Sequence, residues 1–275
     1  MRFYLSIIAA ALAATPAAAQ AAPDLEMWRL GCGSLQLSDS ESFSDTHLYD
    51  GQPRELTDSC YLVRNGDRYL LWDTGLPGDF VGKTETSGVY TITVERSIED
   101  QLDELGLTPA DIDFVGVSHY HFDHIGQLAG FAGATLLIGK GDLDAIESAD
   151  GTGGIDPRPF APWLADGTSE AVTGDKDVFG DGTVTMIAAP GHTPGHHALL
   201  VRLPRAGNVM LTGDLYHFEE QIVNRGVPQF NTDRADTLAS MARFDQMADN
   251  LDATIVIQHD PRHLVRLPAF PESAK

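Results

Sequence analysis

The chain reads as a single α/β domain, and three observations predict it. Short apolar runs of strand length alternate along the sequence with stretches of helical periodicity. The 275 residues, 43% hydrophobic and 8% aromatic, are enough to bury a sizeable core. No internal repeat and no linker with a shift in composition divides the chain from about Pro23 to its end, so residues 23–275 are expected to form one unit.

The first nineteen residues are set apart. Met1-Arg2 is a short positive start, Phe3 to Ala14 is an apolar run, and Pro16-Ala17-Ala18-Ala19 brings small residues in an A-x-A cleavage pattern. The run is shorter than the roughly 20 residues a bilayer core requires. Residues 1–19 therefore read as a cleavable export signal, which places the mature protein in the periplasm or the medium.

Met27 to Leu37 reads as a first strand and the polar stretch Ser38 to Asp58 as a loop. Tyr61-Leu62-Val63, a turn at Arg64-Asn65-Gly66-Asp67, and Tyr69 to Trp72 read as a hairpin. Ile98, Leu102 and Leu105 have helical spacing within Ser97–Leu105, and Gly106 ends that helix. Asp113–Val117, Ala134–Ile138, Val184–Ala189, Ala198–Leu203 and Asn208–Leu211 continue the strand series. Leu238, Met241, Phe244, Met247 and Leu251 mark a long helix over Arg234–Leu251, and Ala253–Ile257 a last strand. Cys32 and Cys60 read equally as a disulfide of an exported protein or as two buried thiols on neighbouring strands.

Eighteen basic residues stand against 40 acidic ones, a net charge of −22. Such a surface repels phosphate backbones and anionic lipid headgroups, so neither nucleic acid nor a membrane is an expected partner. A neutral small molecule or a cation fits instead. The state of assembly is open, a homodimer included.

The chemistry gathers where strands end. Ser118-His119-Tyr120-His121-Phe122-Asp123-His124 puts three imidazoles and a carboxylate into six residues, a density of borderline and hard metal ligands that structural histidines seldom reach. His119 and His121, two apart, can converge on one ion, leaving Asp123 and His124 for another. Pro190-Gly191-His192-Thr193-Pro194-Gly195-His196-His197 is a turn able to aim His192 inward. Leu211-Thr212-Gly213-Asp214 ends a strand with a carboxylate able to bridge two cations, and Ile257-Gln258-His259-Asp260 ends the last with another imidazole. Of His196 and His197, one is expected to orient a ligand from behind.

His119-x-His121-x-Asp123-His124, Gly191-His192, Asp214 and His259, in this order, resemble the full signature of the metallo-β-lactamase superfamily. Trp72-Asp73-Thr74-Gly75 resembles its first motif, whose Asp supports a ligand from behind. The resemblance implies the αββα sandwich of that fold, two mixed β-sheets flanked by helices. It also implies one ion on His119, His121 and His192, a second on Asp123, His124 and His259, and Asp214 bridging them. The β-lactam-hydrolysing branch carries Cys or Ser where this chain has Asp214. The flavodiiron branch carries Glu where His121 stands. Gly-His-Thr-Pro-Gly-His at 191–196 and His259-Asp260 are most similar to the quorum-quenching N-acyl homoserine lactonases, in which a Tyr shortly after the bridging Asp polarises the lactone carbonyl. Here Tyr216 and His217 both compete for that role.

The resemblance thus implies a hydrolase that opens acyl homoserine lactones with two divalent ions, zinc foremost, while iron, manganese and cobalt also suit imidazole and carboxylate. Paired dications bring a bridging water toward ionisation near neutral pH, and Asp123 can pass a proton to the departing alkoxide. A broader carboxylester, thioester or organophosphate hydrolase is the alternative, and a mononuclear iron persulfide dioxygenase a third. The insertion Ser148–Glu170, with Phe160, Trp163 and Leu164, reads as a loop over the pocket, its aromatic residues either covering the acyl chain or packing the loop onto its own domain.

Overall fold

The computed structural model describes residues 24–149 and 154–275; the export signal expected over residues 1–19, and positions 150–153 of the expected pocket loop, lie outside the described residues. Strands β1 (Leu25–Leu37) and β2 (Arg54–Asn65) pair antiparallel, and the Gly66 turn, at φ +62°, leads into β3 (Arg68–Trp72). A hairpin of β4 (Lys83–Ser87) and β5 (Tyr90–Val94) joins the far edge of β1. Beyond β3, the strands β6 (Phe114–Gly116), β7 (Thr135–Gly139) and β8 (Ser169–Val172) run parallel, which gives the order β4-β5-β1-β2-β3-β6-β7-β8. The second sheet holds β9 (Lys176–Asp177), β10 (Val184–Ala188), β11 (His197–Leu203), β12 (Gly207–Leu211) and β13 (Thr254–Val256), ordered β13-β12-β11-β10-β9, with only β12 and β13 parallel.

Strand alternation explains how four layers stack. Tyr61, Val63, Leu70 and Trp72 face the second sheet and meet Met186, Leu199, Val201 and Leu211. Their neighbours Cys60, Leu62 and Leu71 point the other way, onto Ile98 and Leu102 of α1 (Ile98–Glu104). The second sheet is likewise double-faced, with Ala198, Leu200 and Met210 lying under Met241, Phe244 and Ala248 of the long helix α5 (Arg234–Leu251). Sheets buried on both faces read as near-continuous apolar runs, which is why their central strands stand out in the sequence. The outcome is the αββα sandwich. The other helices are α2 (Lys140–Glu147), α3 (Ala161–Ala165) and α4 (Glu220–Asn224). Ser97 and Asp100 close a capping box on α1, and Asp233 accepts from Asp236 N at the start of α5. Among the described residues no helix is long and apolar enough to cross a membrane.

Two expectations change. Arg54–Asp58, expected as loop, is the first half of β2: Leu56 pairs with Leu35, and the Arg54 guanidinium lies 4.4 Å from the Tyr49 ring centroid and 4.2 Å from that of Phe218. A tertiary partner for the charged head lets a polar segment take strand form. The strand series also gains the β4–β5 hairpin: Tyr90-Thr91-Ile92-Thr93-Val94 alternates, but every residue of its partner β4 is exposed and the pair is held by threonine contacts, Thr84–Thr93 and Thr86–Thr91. The cysteines are both neighbours and bonded: Cys32 and Cys60 form a disulfide across β1 and β2, with Cα atoms 5.9 Å apart.

Candidate metal centre

Five strands end at one edge of the sandwich, and each delivers a site residue just past its last hydrogen-bonded pair. β3 leads to Asp73, β6 to the 118–124 turn, β10 to His192, β12 to Asp214 and β13 to His259. Ligands in α/β sheets collect at such strand ends because loops there are free to vary while the sheet holds their bases. Gly213 (φ +52°) lets the chain bend before Asp214, where a Cβ would stand 2.6 Å from His196 Nε2.

The inward nitrogens are crowded. His119 Nε2, His121 Nδ1 and His192 Nε2 form a triangle with sides of 2.9, 2.9 and 3.1 Å. His124 Nε2 lies 3.1 Å from His259 Nε2. The outward nitrogens settle what these carry. His192 Nδ1 is 2.8 Å from Asn231 Oδ1, His259 Nδ1 is 2.9 Å from the Thr57 carbonyl, and His124 Nδ1 is 3.0 Å from Asp73 Oδ2. Each of those partners only accepts, so each Nδ1 carries a proton and, in the neutral ring, each Nε2 turns a lone pair inward, where a cation or a second proton can take it. Asp214 adds more acceptors. Its Oδ1 is buried without a hydrogen-bond donor, 3.1 Å from His124 Nε2 and 2.9 Å from His259 Nε2, and its Oδ2 is 3.2 Å from His192 Nε2. Lone pairs packed against lone pairs in a buried pocket are stable only around shared cations, so the donor set fits metal. His119, His121, His192 and Asp214 form one candidate group, and Asp123, His124 and His259 another.

The electrostatics follow. Burial, reinforced by the other imidazoles, holds His119 and His121 well below the usual histidine range. Burial also acts on His124 and His259, but Asp214 outweighs it, aided by Asp73 at His124 and by Asp123 at His259; His124 rises well above its ordinary value and His259 to about 9. Burial works to raise Asp214, and the surrounding imidazoles, His124 first, hold it well below the usual carboxylate range.

All seven expected ligands thus meet at one edge. Asp123, half-buried, has Oδ2 3.8 Å from His259 Nε2. Asp73 accepts from Ser118 N at 2.6 Å and from Gln258 Nε2 at 2.8 Å, which fixes the carboxylate behind His124. His196 Nε2 accepts from Asp214 N at 2.9 Å, so of the His196–His197 pair it is His196 that supports the site. His217 Nε2 lies 3.0 Å from Asp214 Oδ2, and its ring stacks on that of His259.

Four expected residues are placed elsewhere. Tyr216 turns away from the ligands: its hydroxyl donates to Asp245 at 2.9 Å and accepts from Arg225 at 2.6 Å, and its ring packs against Phe244 under α5. Phe160 and Trp163 belong to the core beneath the first sheet, where the Trp163 indole donates to the Ala134 carbonyl, and Leu164 faces solvent. The cavity beside the ligands, about 200 Å³, is lined instead by Leu35, Phe43, Leu56, Tyr90, Phe122 and Phe230 together with His217 and Asp123. Phe43 and Leu56 were readable as isolated apolar residues in a polar stretch; Phe230 and Asn231 carried no sequence signal.

The profile of the Metallo-beta-lactamase superfamily matches residues 54–259. The chain is 35% identical over 185 residues to the N-acyl homoserine lactonase AttM of Rhizobium radiobacter, an alignment covering 65% of this chain and 69% of that protein. It is 33% identical over 239 residues to the AttM lactonase of Rhizobium johnstonii, covering 81% and 89%. A solved N-acyl homoserine lactone hydrolase, with the product N-hexanoyl-L-homoserine at its catalytic metal centre, aligns with a TM-score of 0.77 at 25% identity, covering 90% of this chain and 98% of that one.

Proposed function

The chain belongs to the metallo-beta-lactamase superfamily, and on that premise we propose that it is a metal-dependent hydrolase that opens the lactone ring of N-acyl homoserine lactones. The observation that carries the reading is the direct contact between the acceptor-lined ligand cluster and an apolar cavity: Asp123, Asp214 and His259 share its wall with Phe43, Leu56 and Phe230. A polar reacting end and an apolar tail are the two halves of an acyl lactone.

We read the centre as holding two divalent ions, zinc foremost, one on His119, His121 and His192, the other on Asp123, His124 and His259, with Asp214 between them. Bound dications polarise a carbonyl oxygen and bring water toward ionisation near neutral pH. The side chains do the rest. Phe43, Tyr90, Phe122 and Phe230 take up the acyl chain and exclude water from that side. His217 fills the position open between it and Tyr216: it borders the cavity and braces Asp214 Oδ2. Asp123, partly exposed at the cavity wall, relays to the departing alkoxide the proton that the attacking water gives up. A neutral substrate suits a protein of net charge −22. The Cys32–Cys60 disulfide supports the same export that the first nineteen residues suggest, because such bonds persist in oxidising compartments.

Hydrolysis of a long-chain acyl homoserine lactone, followed as proton release by metal-analysed protein, tests the reading. Turnover with about two metals per chain is expected. Turnover confined to aryl esters or organophosphates would replace the lactone with those substrates, and one iron per chain with oxygen uptake on persulfides would replace hydrolysis altogether.

A further inference from the structure

Asp142 lies in the first turn of α2, outside the ligand set, yet its carboxylate is fully buried and each of its oxygens accepts a hydrogen bond from a distant loop. Thr193 Oγ1 donates to Oδ2 at 2.8 Å, and Gly195 N donates to Oδ1 at 2.6 Å; both belong to the turn that carries His192. Just past that turn His197 N donates to the Ser118 carbonyl at 2.9 Å, which ties it to the loop carrying His119 and His121. The packing around it leaves no slack. A Cβ on Gly139 would run into the Gly195 carbonyl, one on Gly141 would stand 2.7 Å from the Pro194 carbonyl carbon, and one on Gly195 would meet Asp142 itself. The start of α2 is therefore pressed against the 193–195 turn, backbone to backbone.

We propose that Asp142 is a positioning residue that clamps the loop carrying His192 to the start of α2, and thereby sets where His192 Nε2 stands against the inward nitrogens of His119 and His121. The inference rests on the reading of these three histidines as ligands of one ion. A carboxylate suits the task because it accepts from several N–H and O–H donors at once; an amide offers a single oxygen and turns its NH2 toward a donor.

The test uses cobalt(II)-loaded full-length protein and needs no substrate. Asp142→Asn is expected to melt within a few degrees of the wild type, to bind cobalt about 10-fold more weakly in competition with a chelator, and to change the visible cobalt bands, which report ligand geometry. On a lactone substrate kcat falls while KM stays. A variant with wild-type cobalt affinity and an unchanged spectrum would overturn the clamp. Should Asp142→Asn fail to fold, Thr193→Val removes one donor only; a smaller loss of affinity with a shifted spectrum supports the proposal, and no change in either sinks it. Altered cobalt binding in a protein that turns over no lactone keeps the clamp and discards the lactonase reading.

Discussion

The two halves of the ligand cluster are held by different means. His124 is backed by a carboxylate, Asp73, which sits at φ +57° and is itself tied down by Ser118 N and Gln258 Nε2. His192 is backed by the neutral amide of Asn231, which in turn donates to Thr237 Oγ1 on α5, and His119 Nδ1 lies 3.0 Å from the Ser118 hydroxyl. A charged partner makes an imidazole a stronger base, whereas a neutral one fixes only its direction. The half with Asp123, His124 and His259 thus has a charged backing at His124 and a backbone carbonyl behind His259, whereas the half with His119, His121 and His192 rests on neutral partners and loop packing, with α2 and α5 as its supports.

That contrast yields a ranked set of tests. Asp214 faces both halves with its carboxylate, Oδ1 toward His124 and His259 and Oδ2 toward His192. Asp214→Ala should lower kcat/KM by about a hundred- to a thousand-fold; steady-state kinetics showing near-normal turnover would mean that the halves work without a link. Next, Asp73→Asn should cost up to about 100-fold in metal affinity and Asn231→Ala about 10-fold, measured by chelator competition. Equal losses would erase the distinction between charged and neutral backing.

A third test separates the cavity wall from the core. Phe43→Ala should raise KM for long-chain lactones with little change for short ones, whereas Phe160→Ala should lower stability by about 3–5 kcal/mol with KM unchanged, read by denaturant titration. The smallest effect concerns acid. Burial works to raise Asp260, but hydrogen bonds from Arg262 and from Glu219 N hold it below the ordinary carboxylate value. Its folded pKa is depressed, so its contribution is complete above the unfolded value of about 3.9 and is lost as pH falls from there through the lower folded value. Melting temperatures of the wild type and Asp260→Asn should therefore differ at pH 6 and converge toward pH 3; a constant gap would assign the effect to packing.

The ligands were legible in the sequence because each stands next to a local signal. Three imidazoles within six residues need no tertiary context to look unusual, and His192, Asp214 and His259 each close an apolar strand. The pocket was not. Phe160 and Trp163 share the aromatic, loop-borne character of Phe43 and Phe230, and only the sheet edge over which a loop folds tells core from cavity. Tyr216 and His217 differ by one residue, and the bend at Gly213 decides which side chain returns to Asp214 and which turns back toward Asp245.

Residue order alone therefore carried the layered α/β architecture, since burial on both faces of a sheet writes itself as apolar strand runs, and it carried the ligand types, since metal chemistry requires particular atoms. Contacts between segments far apart in the chain settled the rest: the Asp142 bridge from α2 to the turn that carries His192, Asn231 behind His192, the Cys32–Cys60 bond and the walls of the cavity. Each depends on where two separate backbones come to lie side by side, and no local pattern of side chains encodes that distance.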